Sequence, residues 1–441
     1  MELSCAVITF NSSDEDVDAR RISQSIREAI AYGHGPFTNI FELSIPCDGA
    51  PGPGPRLHNA GIREAIAHHA DWIFFLYPGE TLNPDTFIIA APSLRLFDAV
   101  WGATGLQAEG SVAQRVVKKS RLACQSYETF FHLALNWWIG KSHFVKASVA
   151  TKYLHDDDEA LGYVKYLLSL WKAEQCLKTA HPLTTHRQEI EDFNPTQRQF
   201  ILQHLETHRV FMTIKVAGKQ VKLPYTGRNA GIEREQTRGI FFEQDELEYI
   251  AERLPDGCNI VDVGSNTGNH TVYFSLFMNP KRVTPIEPAP RCVAALKNSV
   301  NANNLTNVDM SKLGLGVGDK AGRYSLKLSE RGGLGATQLQ ASESGDIEVL
   351  PLDEMIKEPV DFLKIDVESM ELQVLKGAAQ LISNSRPCIF IEIVDNNIPD
   401  FLNWVDDNDY RIEKIFPDKS HANYFLAPVD DTVQIRKGKA T

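Results

Sequence analysis

An apolar run, Asn259-Ile-Val-Asp-Val-Gly264, leads straight into Ser265-Asn-Thr-Gly268 and then into a helical pattern from Asn269 to Phe277. A strand, a glycine-bearing turn and a helix start in that order predict a βα unit. At its turn, free backbone N–H groups and the helix dipole converge. Gly264 and Gly268 permit backbone conformations and a close ligand approach that a Cβ would block. The next apolar run, residues 282–286, ends at Glu287. An acidic side chain at the tip of a second strand is placed to accept hydrogen bonds from both hydroxyls of a ribose.

Two cofactors suit such a unit. A nicotinamide dinucleotide needs G-x-G-x-x-G to hold its pyrophosphate. Here the spacing is G-x-x-x-G, with His270 or Thr271 in the third glycine's place. S-adenosylmethionine carries a carboxylate and a sulfonium instead of a pyrophosphate, so a looser loop suffices. Taken alone, the loop also reads as a purely structural βα turn.

Further strands are predicted at 359–366, at 388–394 with Glu392 inside, and as a terminal pair at 410–416 and 423–427. Upstream, strands at 211–216 and 220–223 flank Ala217-Gly-Lys219 as a hairpin, followed by a helix over 244–254. This part of the chain resembles the FkbM-type methyltransferases. The resemblance is carried by VDVGSNTGNHTVYF (261–274), IEPAPRCVAALKNSVNANNL (286–305), GVGDKAG (316–322), FLKIDVESMELQVLKGA (362–378) and RPCIFIEI (386–393). It implies a class I, Rossmann-like methyltransferase fold with a seven-stranded sheet whose last hairpin makes one strand antiparallel. It also implies O-methylation, commonly of sugar or polyketide hydroxyls.

Carried over residue by residue, Gly264 to Gly268, with Ser265 and Asn266 between them, would cradle the methionine end of S-adenosylmethionine, with Glu287 on the ribose. Asp262 is a further cofactor-binding candidate, and His270, at the start of the following helix, would contact the cofactor or cap the helix, with a base as its alternative role. Gly316, after a strand at 308–313, would border the adenine. Phe242-Glu243 stands where the family shows Tyr-Glu, which turns Glu243 toward the cofactor. Ser265 replaces the usual alanine, and Ser369 replaces the glycine of the family's Asp-Val-Glu-Gly. A positive φ at that position would strain a serine there.

Methyl transfer to a neutral hydroxyl needs in-line alignment and removal of a proton. Lys364, Asp366 and Glu368 alternate along one strand end, so extended geometry would turn them to one face. A lysine inside a doubly covered strand is costly unless paired, so Lys364 is expected to bridge to Asp366 or a neighbour. Asp366 or Glu368 is read as the base, the other holding the cofactor's amino group or the acceptor. A structural ion-pair network is the competing use of the trio. With Glu392 and Asp395 the same carboxylates offer hard-cation chemistry, though no residue is assigned as a metal ligand.

The first half also alternates short strands and helices, with strands at 5–10, 41–45 and 72–76 and helices at 16–31, 63–70 and 157–178. Largely parallel sheets are expected in both halves. The order VITFN, FELSIPCDG, then GPRLHNAGIREAIAHHADWIFFLYPGETLNPDTF resembles GT-A-type glycosyltransferases. On that resemblance Asp48 would read the nucleotide, and an Asp-x-Asp metal site would follow WIFFL. Tyr77-Pro-Gly-Glu80 stands there instead, leaving Glu80 alone. One carboxylate holds a metal between two phosphates poorly, so a degenerate glycosyltransferase-like domain is expected. Asp156-Asp-Asp-Glu159 and His181-Pro-Leu-Thr-Thr-His186-Arg187 either match that family's acceptor and phosphate segments or form a helix start and a loop.

The 441 residues favour two domains, placed at 1–195 and 241–441 with a linker and lead-in hairpin at 196–240. Net charge is -12, and no basic stripe with interleaved aromatics is present, which disfavours a nucleic-acid partner. Seven scattered cysteines without C-x-x-C spacing argue for a reducing compartment. No basic region precedes an apolar run at the start, and no run is long enough to span a bilayer. A cytoplasmic O-methyltransferase of polysaccharide biosynthesis, acting on a saccharide or glycoconjugate, is the expectation. The alternatives are a bifunctional glycosyltransferase/methyltransferase and a non-catalytic glycan-binding assembly protein. Oligomeric state is not legible.

Overall fold

The computed structural model describes residues 2–11, 17–47, 53–106, 121, 123–136, 139–155, 158–186, 193–327, 333–334 and 337–429. The chain forms two compact units, Met1–His208 and Arg209–Thr441. Residues 196–208, read from sequence as the start of the linker, continue the helix Pro195–His208 and fall within the first unit.

In the first unit seven strands form one sheet: β1 (Ser4–Asn11), β2 (Asn39–Pro46), β3 (Trp72–Leu76), β4 (Glu80–Leu82), β5 (Ala99–Leu106), β6 (His143–Lys146) and β7 (Cys176–His186). Their order is β2-β1-β3-β6-β5-β7-β4. Pairing is parallel from β2 to β3, but β6 runs antiparallel to both β3 and β5, and β4 antiparallel to β7. The sheet is therefore mixed rather than largely parallel. The helix expected over 157–178 is shorter, Gly162–Ala173, because Cys176 onward pairs with β5 as a strand. Ladder hydrogen bonds along β5 outweigh the helical spacing of those last residues.

The second unit opens with the hairpin β8 (Phe211–Val216) and β9 (Lys219–Pro224). Its two turn residues, Ala217 and Gly218, have φ of 47° and 76°, the positive values a two-residue hairpin of native twist requires. The main sheet contains β10 (Asn259–Val263), β11 (Arg282–Ile286), β16 (Phe362–Ile365), β17 (Cys388–Val394), β18 (Tyr410–Pro417) and β19 (His421–Pro428), in the order β11-β10-β16-β17-β19-β18. β11, β10, β16 and β17 are parallel, and β19 is antiparallel to both β17 and β18.

Alternation divides these strands between two cores. Val261, Val263, Leu363, Ile365, Ile389 and Ile391 bury on one face, and Ile260, Phe362, Phe390 and Phe425 on the other. Both faces are covered, which explains the nearly continuous apolar runs. Val263 lies level with Ile286 and Ile365 in the register, so three carboxyl ends open at one height. In open α/β sheets that edge is where ligands bind.

The sheet has six strands among the described residues, not seven. At the β11 edge, the segment expected as a strand at 308–313 makes one parallel bridge, Val308 to Val283, and then turns into a short helix, Met310–Lys312. Asp309 caps that turn by accepting from the Ser311 amide at 3.0 Å, a local bond that competes with the ladder. A separate four-stranded sheet, β12-β15-β13-β14, follows, built from β12 (Leu315–Val317), β13 (Gly322–Lys327), β14 (Gln338–Ala341) and β15 (Ile347–Leu350). Gly316 sits within β12. All seven cysteines are free and buried, and no helix among the described residues is long and apolar enough to cross a membrane.

Candidate functional site

A cavity of about 700 Å³ opens at the carboxyl ends of β10, β11 and β16, within the ~300–1,000 Å³ typical of cofactor sites. Its floor is the turn after β10. Gly264 has φ +76° and Gly268 φ +92°, the left-handed region that favours glycine. A Cβ on Gly264 would fall on the carbonyl oxygen of Asp366, so the two strand ends approach here as only glycine allows. The amides of Gly264 and Ser265 both donate to the Ile286 carbonyl, at 2.9 and 3.2 Å.

Glu287 follows at once and is buried. Its carboxylate accepts from the amides of Asn266 at 2.9 Å and Ala289 at 2.8 Å. Burial nonetheless raises its pKa to about 7; those two bonds and Lys364 oppose the rise, and Asp262 adds to it. A carboxyl so poised gains from any ligand that donates hydrogen bonds to its ionised form.

Beneath the turn lies a buried ionic knot. Asp262 and Lys364 are register partners on neighbouring parallel strands and share one face. The Lys364 Nζ donates to the Gly264 carbonyl at 3.0 Å and to Asp366 Oδ2 at 3.2 Å, and lies 3.4 Å from Asp262 Oδ1. Burial alone would lower the Lys364 pKa, but Asp366, Asp262 and Glu243 outweigh it and hold the ammonium firmly charged. Asp262 Oδ2 also accepts from Thr271 at 2.6 Å. The expected pairing of Lys364 is present, and it reaches two carboxylates.

Strand geometry ends at Ile365. Glu368 and Ser369 have φ of 55° and 80°, so Lys364, Asp366 and Glu368 do not continue one extended face. The chain instead doubles back through a turn tied by Ser369 N donating to Glu371 Oε1 at 2.8 Å. Positive φ at a serine is a strained conformation of the sort found at functional turns. The turn swings Glu368 into the cavity beside Asp366. Burial first, then the charges of Asp366 and Glu371, push its pKa to about 7, with Lys364 opposing.

Glu243 caps the helix Gln244–Arg253 in left-handed conformation, φ 57°. Asn269 fixes its neighbour Phe242 by bonding both the Phe242 amide and carbonyl, at 3.2 and 3.0 Å. Glu243 itself accepts from Asn423 at 3.0 Å, and its other oxygen lies 3.0 Å from His270 Nε2. Burial would raise the Glu243 pKa, but His270, Lys364 and Asn423 reverse the sign and keep it low.

The cavity brings together Glu243, Gly264, Asn266, Glu287, Gly316, Asp366 and Glu368 of the residues singled out by sequence. Asp262, Ser265, Gly268, His270 and Lys364 lie behind this lining, supporting it. Gly316 arrives on β12 and not after a strand at 308–313.

Sequence reasoning did not find Arg228, Asn229, Asp418 and His421, which also line the cavity. His421 Nε2 lies 3.3 Å from Glu392 Oε2 and 3.7 Å from Asp418 Oδ2. Burial and the nearby carboxylates Asp366, Glu368 and Glu243 hold the Glu392 carboxyl well above its ordinary range. No group of three or more His, Cys, Asp or Glu among the described residues is arranged to hold a metal ion. In the glycine-rich 331–336 segment, Gly333 and Leu334 border the cavity, and the remaining four residues lie outside the described ones.

Residues 262–412 match the family model described as "Methyltransferase FkbM domain". This stretch is a methyltransferase FkbM domain. A curated relative, "Methyltransferase 1" of Beauveria bassiana (strain ARSEF 2860), is 26% identical over 153 residues, covering 29% of this chain and 61% of its own length. The chain thus spans less than two thirds of that relative. Among solved structures, methyltransferase FkbM from Methylobacillus flagellatus KT is 24% identical, with a TM-score of 0.30, covering 39% of this chain and 44% of that one. M. jannaschii TYW2, solved in complex with AdoMet, is 13% identical with a TM-score of 0.29, covering 50% and 88%. Glu243 and Arg228 precede the matched stretch and His421 follows it, so the cavity of the FkbM domain is closed by chain outside the match.

The first unit presents fewer features of its own. Glu80 is buried at the start of β4, opposite His186 of β7 in the register. His181 to His186 is strand, not loop. Asp158 accepts from the amides of Ala160 and Leu161, both at 3.0 Å, ahead of the helix Gly162–Ala173, which is the helix-start reading of that acidic segment. Asp48, residues 156–157 and Arg187 lie outside the described residues.

Proposed function

We propose that this chain is an S-adenosylmethionine-dependent O-methyltransferase that modifies a hydroxyl of a saccharide or glycoconjugate. One conjunction carries the reading: a turn opened at Gly264 and Gly268, a buried acid at the next strand tip, Glu287, and a carboxyl of raised pKa, Glu368, all serve one cavity. The donor set fits the cofactor. Glu287 offers acceptor oxygens to ribose hydroxyls, Glu243 offers a charged carboxylate to an ammonium, and the turn leaves room where a Cβ would intrude. When bound, S-adenosylmethionine supplies a methyl group already activated by its sulfonium.

The protein's own task is then to orient the acceptor oxygen and remove its proton. Glu368 is assigned the base, because its proton affinity is raised toward neutrality, where a general base is most effective. Asp366, clamped by Lys364, is assigned to binding and to sustaining the raised pKa of Glu368. Walls rich in carboxylates (Asp366, Glu368, Glu392, Asp418) accept hydrogen bonds, and a polyhydroxylated acceptor donates them.

The first unit is assigned as a degenerate glycosyltransferase-like scaffold, supported by the buried Glu80 standing where that family carries a pair of carboxylates. A cytoplasmic seat belongs to the same reading, supported by seven free cysteines.

Calorimetry with S-adenosylmethionine, followed by labelled-methyl transfer to nucleotide sugars and cell-envelope glycans, tests the proposal. No binding at millimolar cofactor would leave the fold and remove the function. Release of sugar from nucleotide sugars by the full chain with manganese would show the first unit to be an active transferase.

A further inference from the structure

We propose that Arg228 binds the α-carboxylate of the cofactor's methionine moiety, from a turn that Glu233 holds in shape. This rests on the cavity being a site for S-adenosylmethionine. The turn, residues 226–229, precedes the FkbM match, and its backbone is tied at every amide. Glu233, in the helix Ala230–Thr237, is buried. Its Oε1 accepts from the Thr226 amide and hydroxyl, both at 2.6 Å, and from the Gly227 amide at 3.2 Å. Its Oε2 accepts from the Asn229 amide at 3.3 Å. The remaining amide, that of Arg228, donates to Thr226 Oγ1 at 3.1 Å. A buried carboxylate is costly unless its oxygens are satisfied, and these bonds satisfy both.

This turn is joined to the cofactor turn itself. Asn229 Nδ2 donates to Asn266 Oδ1 at 3.0 Å, and Asn266 is the residue whose amide holds Glu287. On the other side the Arg228 carbonyl accepts from the Leu334 amide at 2.9 Å. A charged side chain is thereby delivered to the cavity wall on a backbone that has little freedom left to lose on binding.

Charge then decides what it meets. The lining carries six carboxyl groups, those of Glu243, Glu287, Asp366, Glu368, Glu392 and Asp418; Arg228 is the one lysine or arginine among the described lining residues, and His421 the one histidine. Lys364 lies behind the floor, engaged with Asp262 and Asp366. S-adenosylmethionine has a single anionic group, its carboxylate. Placed among the acidic groups it would be repelled. Beside Arg228 it meets a planar fork of donors matched to its two oxygens.

The test is calorimetry on the full chain with two probes, S-adenosylmethionine and its decarboxylated analogue, which lacks only the carboxylate. Arg228→Met keeps the apolar stem and removes the charge. Loss of a charge-assisted pair should weaken S-adenosylmethionine by ~10–100-fold, with the decarboxylated analogue unchanged within about threefold and Arg228→Lys recovering part of the loss. Glu233→Gln should weaken the parent cofactor more than the analogue. Equal weakening of both probes by Arg228→Met would make it a structural residue, and no change in either would remove it from the site. Failure of the unaltered protein to bind either probe would overturn the cofactor reading and this assignment together.

Discussion

Replacing Glu368 with glutamine tests the chemistry most directly. The carboxyl's ordinary pKa of 4.5 rises to about 7 through burial and the charges of Asp366 and Glu371. With that value, about a tenth of the side chain is ionised at pH 6 and about nine-tenths at pH 8. With cofactor saturating, kcat/KM for the acceptor should therefore climb about tenfold over that range. Saturation matters, because ribose hydroxyls would hold Glu287 ionised and remove its titration from the profile. Glu368→Gln should lower kcat by ~10²–10⁴-fold, the usual contribution of a general base, and flatten the profile, while calorimetry shows cofactor affinity little changed.

Asp366→Asn adds a second readout. Removing its negative charge eases ionisation of Glu368, so the midpoint should move below pH 7, toward the ordinary value. Radiolabelled methyl transfer across pH 5.5–8.5 (roughly the span of the titration) measures both effects. Near-normal turnover in Glu368→Gln, or a midpoint indifferent to Asp366→Asn, refutes the assignment.

Three other perturbations follow from the same geometry. Glu287, at about 7 in the free protein, accepts from both ribose hydroxyls only as the carboxylate, with neither oxygen occupied by a proton, so S-adenosylmethionine binding at pH 6 should release most of a proton and weaken as pH falls. Calorimetry in two buffers of different ionisation enthalpy reads this, and zero release at pH 6 would separate Glu287 from the ribose. Gly264→Ala combines a positive φ with a Cβ set on the Asp366 carbonyl. It should cost at least ~2 kcal/mol in urea unfolding and abolish cofactor binding, and a wild-type melt would contradict the close approach. Lys364→Met leaves Asp262, fully buried, without its cation and should destabilise by about 3–5 kcal/mol. Asp366→Asn, at a partly exposed side chain, should cost far less.

Much of the second unit was legible because local pattern and tertiary fate agree there. The strand expected at 282–286 and the helix expected at 269–277 appear with those bounds as Arg282–Ile286 and Asn269–Phe277. The glycines of the turn after β10 were readable because positive φ restricts residue choice. Ser369 shows the same logic from the other side, as a non-glycine found at φ 80°. The segment 308–313 was misread as a strand because its apolar residues mimic one, and a capping bond from Asp309 turned it instead.

From residue order alone came the α/β class, the βα unit with its paired glycines, the acid at the second strand tip and the lysine that demanded carboxylate partners. Each follows from short-range rules: a two-residue strand period, a turn that tolerates no Cβ, a buried charge that must be paired. The tertiary structure alone decided which distant side chains share the cavity. Arg228, Asn229, Asp418 and His421 have no spacing that marks them, because their meeting depends on the register of β17 with β19 and on a turn folded around Glu233. It also decided the proton affinities of Glu287 and Glu368, since those depend on water excluded and charges gathered by chain far away in sequence.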